Sequence, residues 1–145
     1  MTNPAVPGFS ESLDRPFYGA SVTQAFLRFW KKYATFSGRA SRSEYWWVVL
    51  ISSVVSIVFY LVELVAAGGD VAAADTAMTD PGDILNYLWS LATVVPSLAV
   101  SVRRLHDVDR SGWWMLIGLL PLVGWILLIV WSASAPNEAG RRFDR

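Results

Sequence analysis

The chain has 145 residues, a length that suits one domain, with 54% hydrophobic residues, eight Trp and a formal net charge of zero from 12 basic and 12 acidic side chains. The apolar share exceeds the roughly 45–50% of soluble domains, and the lack of Cys excludes disulfides, thiolate metal sites and Cys nucleophiles. Charge is sorted rather than mixed: residues 45–62, 84–102 and 111–137 contain no Asp, Glu, Lys or Arg. Each stretch suffices to cross a bilayer, which takes about 20 apolar residues. The expected class is an all-α membrane protein with an N-terminal interfacial amphipathic helix followed by three transmembrane helices.

Residues 1–20 hold Pro4, Pro7, Gly8, Pro16 and Gly19 without a sustained period and read as a flexible tail. They lack the basic start and apolar run of a cleaved signal peptide, so the first span is expected to serve as an uncleaved anchor. Residues 21–36 change character. Val22, Phe26, Phe29, Trp30 and Tyr33 fall on one helical face, and Gln24, Arg28, Lys31 and Lys32 on the other. Ser21 with Gln24 forms an S-x-x-Q capping box. A basic, aromatic-rich helix of this kind lies in the membrane interface, or packs on the spans; the two are compatible.

The membrane domain is expected over 37–132. Gly38 ends the first helix, and Ser41 to Glu44 forms a second capping box, S-x-x-E, ahead of the first span at about 45–67. Tyr45, Trp46 and Trp47 suit headgroup depth. Gly68 and Gly69 end the span, and a loop with Asp70, Asp75, Asp80 and Asp83 follows. Asp80-Pro81-Gly82-Asp83 starts the second span, 84–102, with Pro81 at the first helical position and Pro96 as an internal kink. After the connector at 103–112 comes a third stretch, 113–132. From Trp114 to Trp131 a continuous helix would rise roughly 26 Å, about the hydrocarbon thickness. Residues 133–145 form a polar tail with Arg141, Arg142 and Arg145.

Basic residues flank the cytoplasmic ends of membrane helices. Arg28, Lys31, Lys32, Arg39 and Arg42 precede the first span, the first loop carries acids, and the connector carries Arg103, Arg104 and Arg110. This places the N-terminus and connector inside and the acidic loop outside. Three full spans put the tail outside. Its arginines argue against that, and a re-entrant third segment bent at Pro121 and Gly124 would return it to the cytoplasm.

Two polar stripes run down the spans: Ser52, Ser56, Tyr60 and Glu63 on the first, and Asn86, Ser90, Thr93, Ser97 and Ser101 on the second. They point to interhelical packing, with a hydrated solute path as the alternative. Glu63 falls near the outer boundary, too far from mid-membrane for a proton relay. His106 is the single histidine; without a second imidazole or a thiolate it makes a poor metal site, and no nucleophile–base pair, zinc-protease or phosphate-loop pattern is present. Neither enzyme activity, cofactor, metal nor nucleic acid is expected.

The sharpest constellation joins residues 38–44 with 103–112. It gathers Arg39, Arg42, Glu44, Arg103, Arg104, His106, Asp107 and Arg110, together with Asp109, at the inner face. One reading is topology charge with Arg–carboxylate pairs that lock helix ends. The other is recognition of anionic lipid headgroups, a phosphorylated ligand or a protein partner by Arg forks.

These segments also carry a resemblance. Phe36-Ser-Gly-Arg-Ala-Ser-Arg-Ser-Glu-Tyr-Trp-Trp47 resembles the F-x-G-R-A-x-R-x-E-Y-W opening of the domain of unknown function 805 family. The stretch from Pro96 to Trp114 is similar to its P-x-x-A-x-x-x-R-R-L-H-D-x-x-x-S-G-W-W centre, and Leu120-Pro-Leu-Val-Gly124 to its x-P-x-x-G. The resemblance implies a small, multi-pass protein of the bacterial plasma (inner) membrane without an established reaction. The tail departs from the family's closing N-[RK]-[FY]-G: Gly140-Arg-Arg-Phe-Asp144 has Arg141 for Asn and Asp144 for Gly. The functional expectation is a small scaffold or accessory protein whose partners are membrane lipids, a second copy or an unknown membrane protein. The alternative is a subunit of an oligomeric small-solute transporter or channel.

Overall fold

The computed structural model describes residues 15–71 and 81–144, and every regular element among them is helical. The first 14 residues and the loop acids Asp75 and Asp80 lie outside the described residues. Helix α1 (Val22–Lys31) begins at the Ser21–Gln24 box: Gln24 N–H donates to Ser21 Oγ at 3.3 Å, and Ser21 N–H to Gln24 Oε1 at 2.9 Å. It buries Ala25 and Phe29. Helix α2 (Arg42–Ala66) begins at the Ser41–Glu44 box and ends before Gly68 and Gly69. Helix α3 (Pro81–Asp107) has Pro81 in its first turn and Pro96 inside.

Only 11% of the most apolar window of α2, and 22% of that of α3, is buried in the protein. A helix this apolar inside a soluble domain would be mostly covered, so lipid is the solvent these two helices fit. They pack against each other, with Glu63 buried beside Gly82. Pro96 has no N–H to give to the carbonyl of Ala92, one helical turn earlier. The Tyr33 hydroxyl, just past the end of α1, donates to that carbonyl at 2.9 Å. Trp30 stacks on Tyr33 and meets Trp89 edge-on, so α1 leans along α3. The core gathers Phe29, Ala40, Val48 and Val100, where α1, α2 and α3 converge.

The third apolar stretch corrects the expectation of three complete spans. It forms a 3-10 helix (Gly112–Leu119) and helix α4 (Val123–Ala133), which fold back on each other. Pro121 withholds the donor a continuous helix needs. Leu122 then takes φ 64° and ψ −68°, and Val123 N–H donates to the Pro121 carbonyl at 2.8 Å, closing a three-residue turn. Gly124 makes the reversal tight: a Cβ there would lie 1.7 Å from the Ile117 carbonyl oxygen. Trp125 Nε1 donates across to the Gly118 carbonyl at 3.0 Å. Trp114 and Trp131, expected at opposite membrane faces, instead have ring centroids 5.4 Å apart. The stretch is a hairpin with both ends beside the C-terminus of α3.

A second correction concerns the tail assigned to 1–20. Residues 17–20 are docked on the start of α2. Phe17 N–H donates to Glu44 Oε2 at 3.0 Å, Ala20 N–H to Ser43 Oγ at 3.0 Å, and Trp47 Nε1 to the Ala20 carbonyl at 3.0 Å.

Candidate functional site

Glu44 begins as a capping residue, its Oε2 accepting the Ser41 N–H at 2.9 Å. A capping carboxylate has lone pairs to spare, and Glu44 uses them: it accepts from Phe17 N–H and from Arg28 Nε. Arg28 also donates to the Arg15 carbonyl at 2.6 Å. One buried side chain thereby ties the N-terminal segment, α1 and α2 together.

Asp107 does the same at the other end of the motif. It is fully buried at the C-terminus of α3. Oδ1 accepts from the Tyr18 hydroxyl at 2.9 Å and faces Arg39 Nη1 at 3.5 Å, and Oδ2 accepts from Arg104 Nη1. Arg104 reaches on to the Ser132 carbonyl (Nε, 2.9 Å) and the Ser134 carbonyl (Nη2), so it fastens the free carbonyls at the end of α4 to α3. Burial, then the hydrogen bond to Asp107, pushes the Tyr18 phenol up to about 12. It therefore stays a neutral donor. The hydrogen-bonded Asp144 carboxylate holds the Arg39 guanidinium above its ordinary value.

The tail closes over this cluster. Asn137 N–H donates to the Asp107 carbonyl at 2.8 Å, and a 3-10 helix (Glu138–Phe143) follows. Gly140 lies against α3, where a Cβ would come within 2.3 Å of the His106 carbonyl oxygen. The Phe143 ring stacks on His106 with centroids 4.1 Å apart and planes 4° from parallel. His106 Nδ1 pairs with the Gly38 carbonyl at 3.0 Å, Gly38 N–H donates to the Phe143 carbonyl at 2.9 Å, and Ala40 N–H to the Arg103 carbonyl at 3.0 Å. Arg39 then grips Asp144 through both carboxylate oxygens, at 2.8 and 2.7 Å.

The sequence-derived residues thus divide. Arg39, Arg104, His106 and Asp107 meet in one buried clasp, while Glu44 forms a separate buried knot with Phe17 and Arg28. Arg103 is buried beside it; its Nε donates to the Ala99 carbonyl of its own helix at 3.2 Å, and its Nη2 has no hydrogen-bond partner among the described residues. Arg42 and Arg110 are exposed. The Arg110 guanidinium lies over both hairpin indoles, 5.7 Å from the Trp114 ring and 4.9 Å from the Trp131 ring. Asp109 pairs with Arg142 at 2.9 Å on the surface. Among the polar stripes, Thr93 and Glu63 are buried, Ser52, Ser56, Asn86, Ser97 and Ser101 are half-buried, and Tyr60 and Ser90 are exposed. Sequence reasoning missed Tyr18, Phe143 and Asp144 as clasp members and Arg28 as the partner of Glu44. Tyr18 sits in a Pro/Gly segment with no period, and Asp144 at a position where the motif departs; neither leaves a local signal.

A helical chain with two lipid-length apolar helices, an apolar hairpin and a buried charge clasp defines a small integral membrane protein. The family described as "Protein of unknown function (DUF805)" matches residues 33–145, and the chain belongs to it. It is 36% identical over 120 residues to inner membrane protein YhaI of Escherichia coli (strain K12), covering 83% of this chain and 92% of that one. It is 34% identical over 122 residues to inner membrane protein YhaH of the same organism, covering 81% and 91%. A third relative, the E. coli uncharacterized protein YiiR, is 34% identical over 95 residues, 65% of this chain and 53% of that one. No solved structure matches. The family match begins at Tyr33, the residue that supports the Pro96 kink, and spans both motif segments and the tail.

Proposed function

We infer that this chain is a small multi-pass scaffold of the bacterial inner membrane, with its N-terminus, connector and tail on the cytoplasmic side, and that its exposed arginine rim holds anionic lipid headgroups. One observation carries the reading: the motif arginines are sorted by exposure. Arg39, Arg103 and Arg104 turn inward, where Arg39 and Arg104 fasten segments, while Arg42 and Arg110 remain exposed. Arg110 stands over Trp114 and Trp131, side chains that suit headgroup depth, so its charge is presented where phosphates lie. The inward set favours a structural role for most of the motif. Positive charge beside the first helix, in the connector and in the tail supports the cytoplasmic assignment.

The test is titration of the delipidated, detergent-solubilised protein with phosphatidylglycerol, read through Trp fluorescence. Arg42→Gln with Arg110→Gln is expected to weaken binding by about thirtyfold, from about 1 kcal/mol per surface arginine, with folding intact by circular dichroism. Equal binding by the variant and the parent at low salt overturns the lipid assignment.

A further inference from the structure

The hairpin has a consequence independent of the arginine rim. Its mouth is fixed at one level by the Trp114–Trp131 contact and by Arg110 over both rings. From that level α4 rises roughly 12 Å to its first residue, so the turn reaches only about the middle of a 30 Å hydrocarbon core. Nothing described in the chain covers the tip: Leu119 is 80% and Leu122 70% exposed. Gly124 against the Ile117 carbonyl and the Trp125–Gly118 hydrogen bond hold the two limbs together as one stiff rod pair. Arg104 pins its exit to α3, so it cannot swing away. The occupant that fits an uncharged, uncovered tip ending at mid-membrane is the acyl region of a single leaflet.

The protein is therefore unequal in the two leaflets. In the leaflet beside the clasp it places α2, α3 and both hairpin limbs; α1 starts at the same end and reaches Trp89 and the Ala92 carbonyl near the middle of α3 through Trp30 and Tyr33. In the opposite leaflet, among the described residues, it places only α2 and α3. With helix diameters of about 10 Å the hairpin alone adds roughly 160 Å² to one leaflet. We propose that the hairpin makes the protein a one-leaflet area wedge, which inserts into lipid-packing defects and favours membranes in which the leaflet beside the clasp is stretched on the convex side. Extra area in one monolayer is relieved when that monolayer curves outward, as for interfacial helices that respond to curvature.

The chain has no Cys, so a single introduced one reports orientation cleanly. Glu138→Cys and, separately, Ser37→Cys lie on exposed positions at the clasp end. Each full-length variant is reconstituted into vesicles of one lipid composition, about 30 nm or about 200 nm across, and labelled from outside with a membrane-impermeant maleimide. The labelled-to-protected ratio is expected to be at least about threefold higher in the small vesicles, with the same result at both positions. An orientation bias set by charge alone would not change with vesicle size. Equal ratios at the two sizes, or a lower ratio in small vesicles, overturn the wedge. Opposite labelling of the two positions shows a hairpin opened into a full span, which overturns its geometric premise and leaves the arginine-rim reading to its own test.

Discussion

Asp107 occupies a place that electrostatics alone disfavours: an acid at the C-terminus of a helix, where the backbone already carries partial negative charge, and wholly out of water. It is stable there because its two oxygens meet Arg104, Arg39 and the Tyr18 hydroxyl at once. Asp144 shows the same logic from the tail. It stands where the family pattern has Gly, and it supplies the carboxylate that completes Arg39. The Tyr18 phenol gives this cluster a pH signature. Its proton is held up to about 12 in the fold, against an ordinary value of 10.0. The folded state then keeps a proton the unfolded chain loses, so the contribution is complete below pH 10.0 and fades as pH rises toward about 12. Tyr18 as a residue is 54% exposed, so screening limits the effect to about 1 kcal/mol. Thermal melts in detergent are expected to show the parent losing this increment across that window, while Tyr18→Phe, already lacking it, changes less. Parallel pH profiles for the two proteins would remove Tyr18 from the clasp.

At the scale of elements, the hairpin is where physical chemistry departs most from a hydropathy reading. Residues 111–137 have the composition of a span, and composition does not register a three-residue turn. The signals were Pro121 and Gly124 together, a lost donor followed by a position with room for no side chain. The three arginines of the tail pointed the same way. Gly124→Val should drive the limbs apart at a cost of about 3 kcal/mol, because the obstructing atom is the Ile117 backbone carbonyl and cannot rotate away. The near-ultraviolet circular dichroism of the Trp114–Trp131 pair should collapse with it. Gly118→Ala is the control: there the nearest atom is a Leu128 side-chain methyl at 3.1 Å, which can shift, so the spectrum should persist. A Gly124→Val protein with parental stability and spectrum would mean that the limbs do not touch. The start of α2, by contrast, was fully legible, since a capping box followed by uncharged residues is a local signal and needs no tertiary partner.

Over the whole molecule, the two apolar helices and the gathering of residues 38–44 with 103–112 followed from sequence, because charge segregation and motif order act at long range. What was not legible was direction: which arginines turn inward depends on the helical phase at the end of α3 and on partners brought by the first and last segments. That arrangement makes the clasp end the place where the chain is held together. Ala40 N–H to the Arg103 carbonyl, His106 to Gly38, and Arg39 to Asp107 and Asp144 all join the segment before α2 to the segment from α3 onward. A chain cut at a protease site placed within residues 72–80 should therefore remain one particle in mild detergent, its two fragments eluting together. Buried ion pairs are screened far less than surface ones, so the association should persist at about 1 M salt, where the Debye length is about 3 Å. In the cut protein Asp107→Asn removes the shared carboxylate charge and leaves Arg39 and Arg104 facing each other across a neutral amide, a loss of about 3–5 kcal/mol. The fragments of that variant should separate on size exclusion, while those of Glu138→Gln, which loses only a surface pair with Arg141, should not. Separation of the parental fragments would show that the α2–α3 loop, rather than the clasp, keeps the two halves joined.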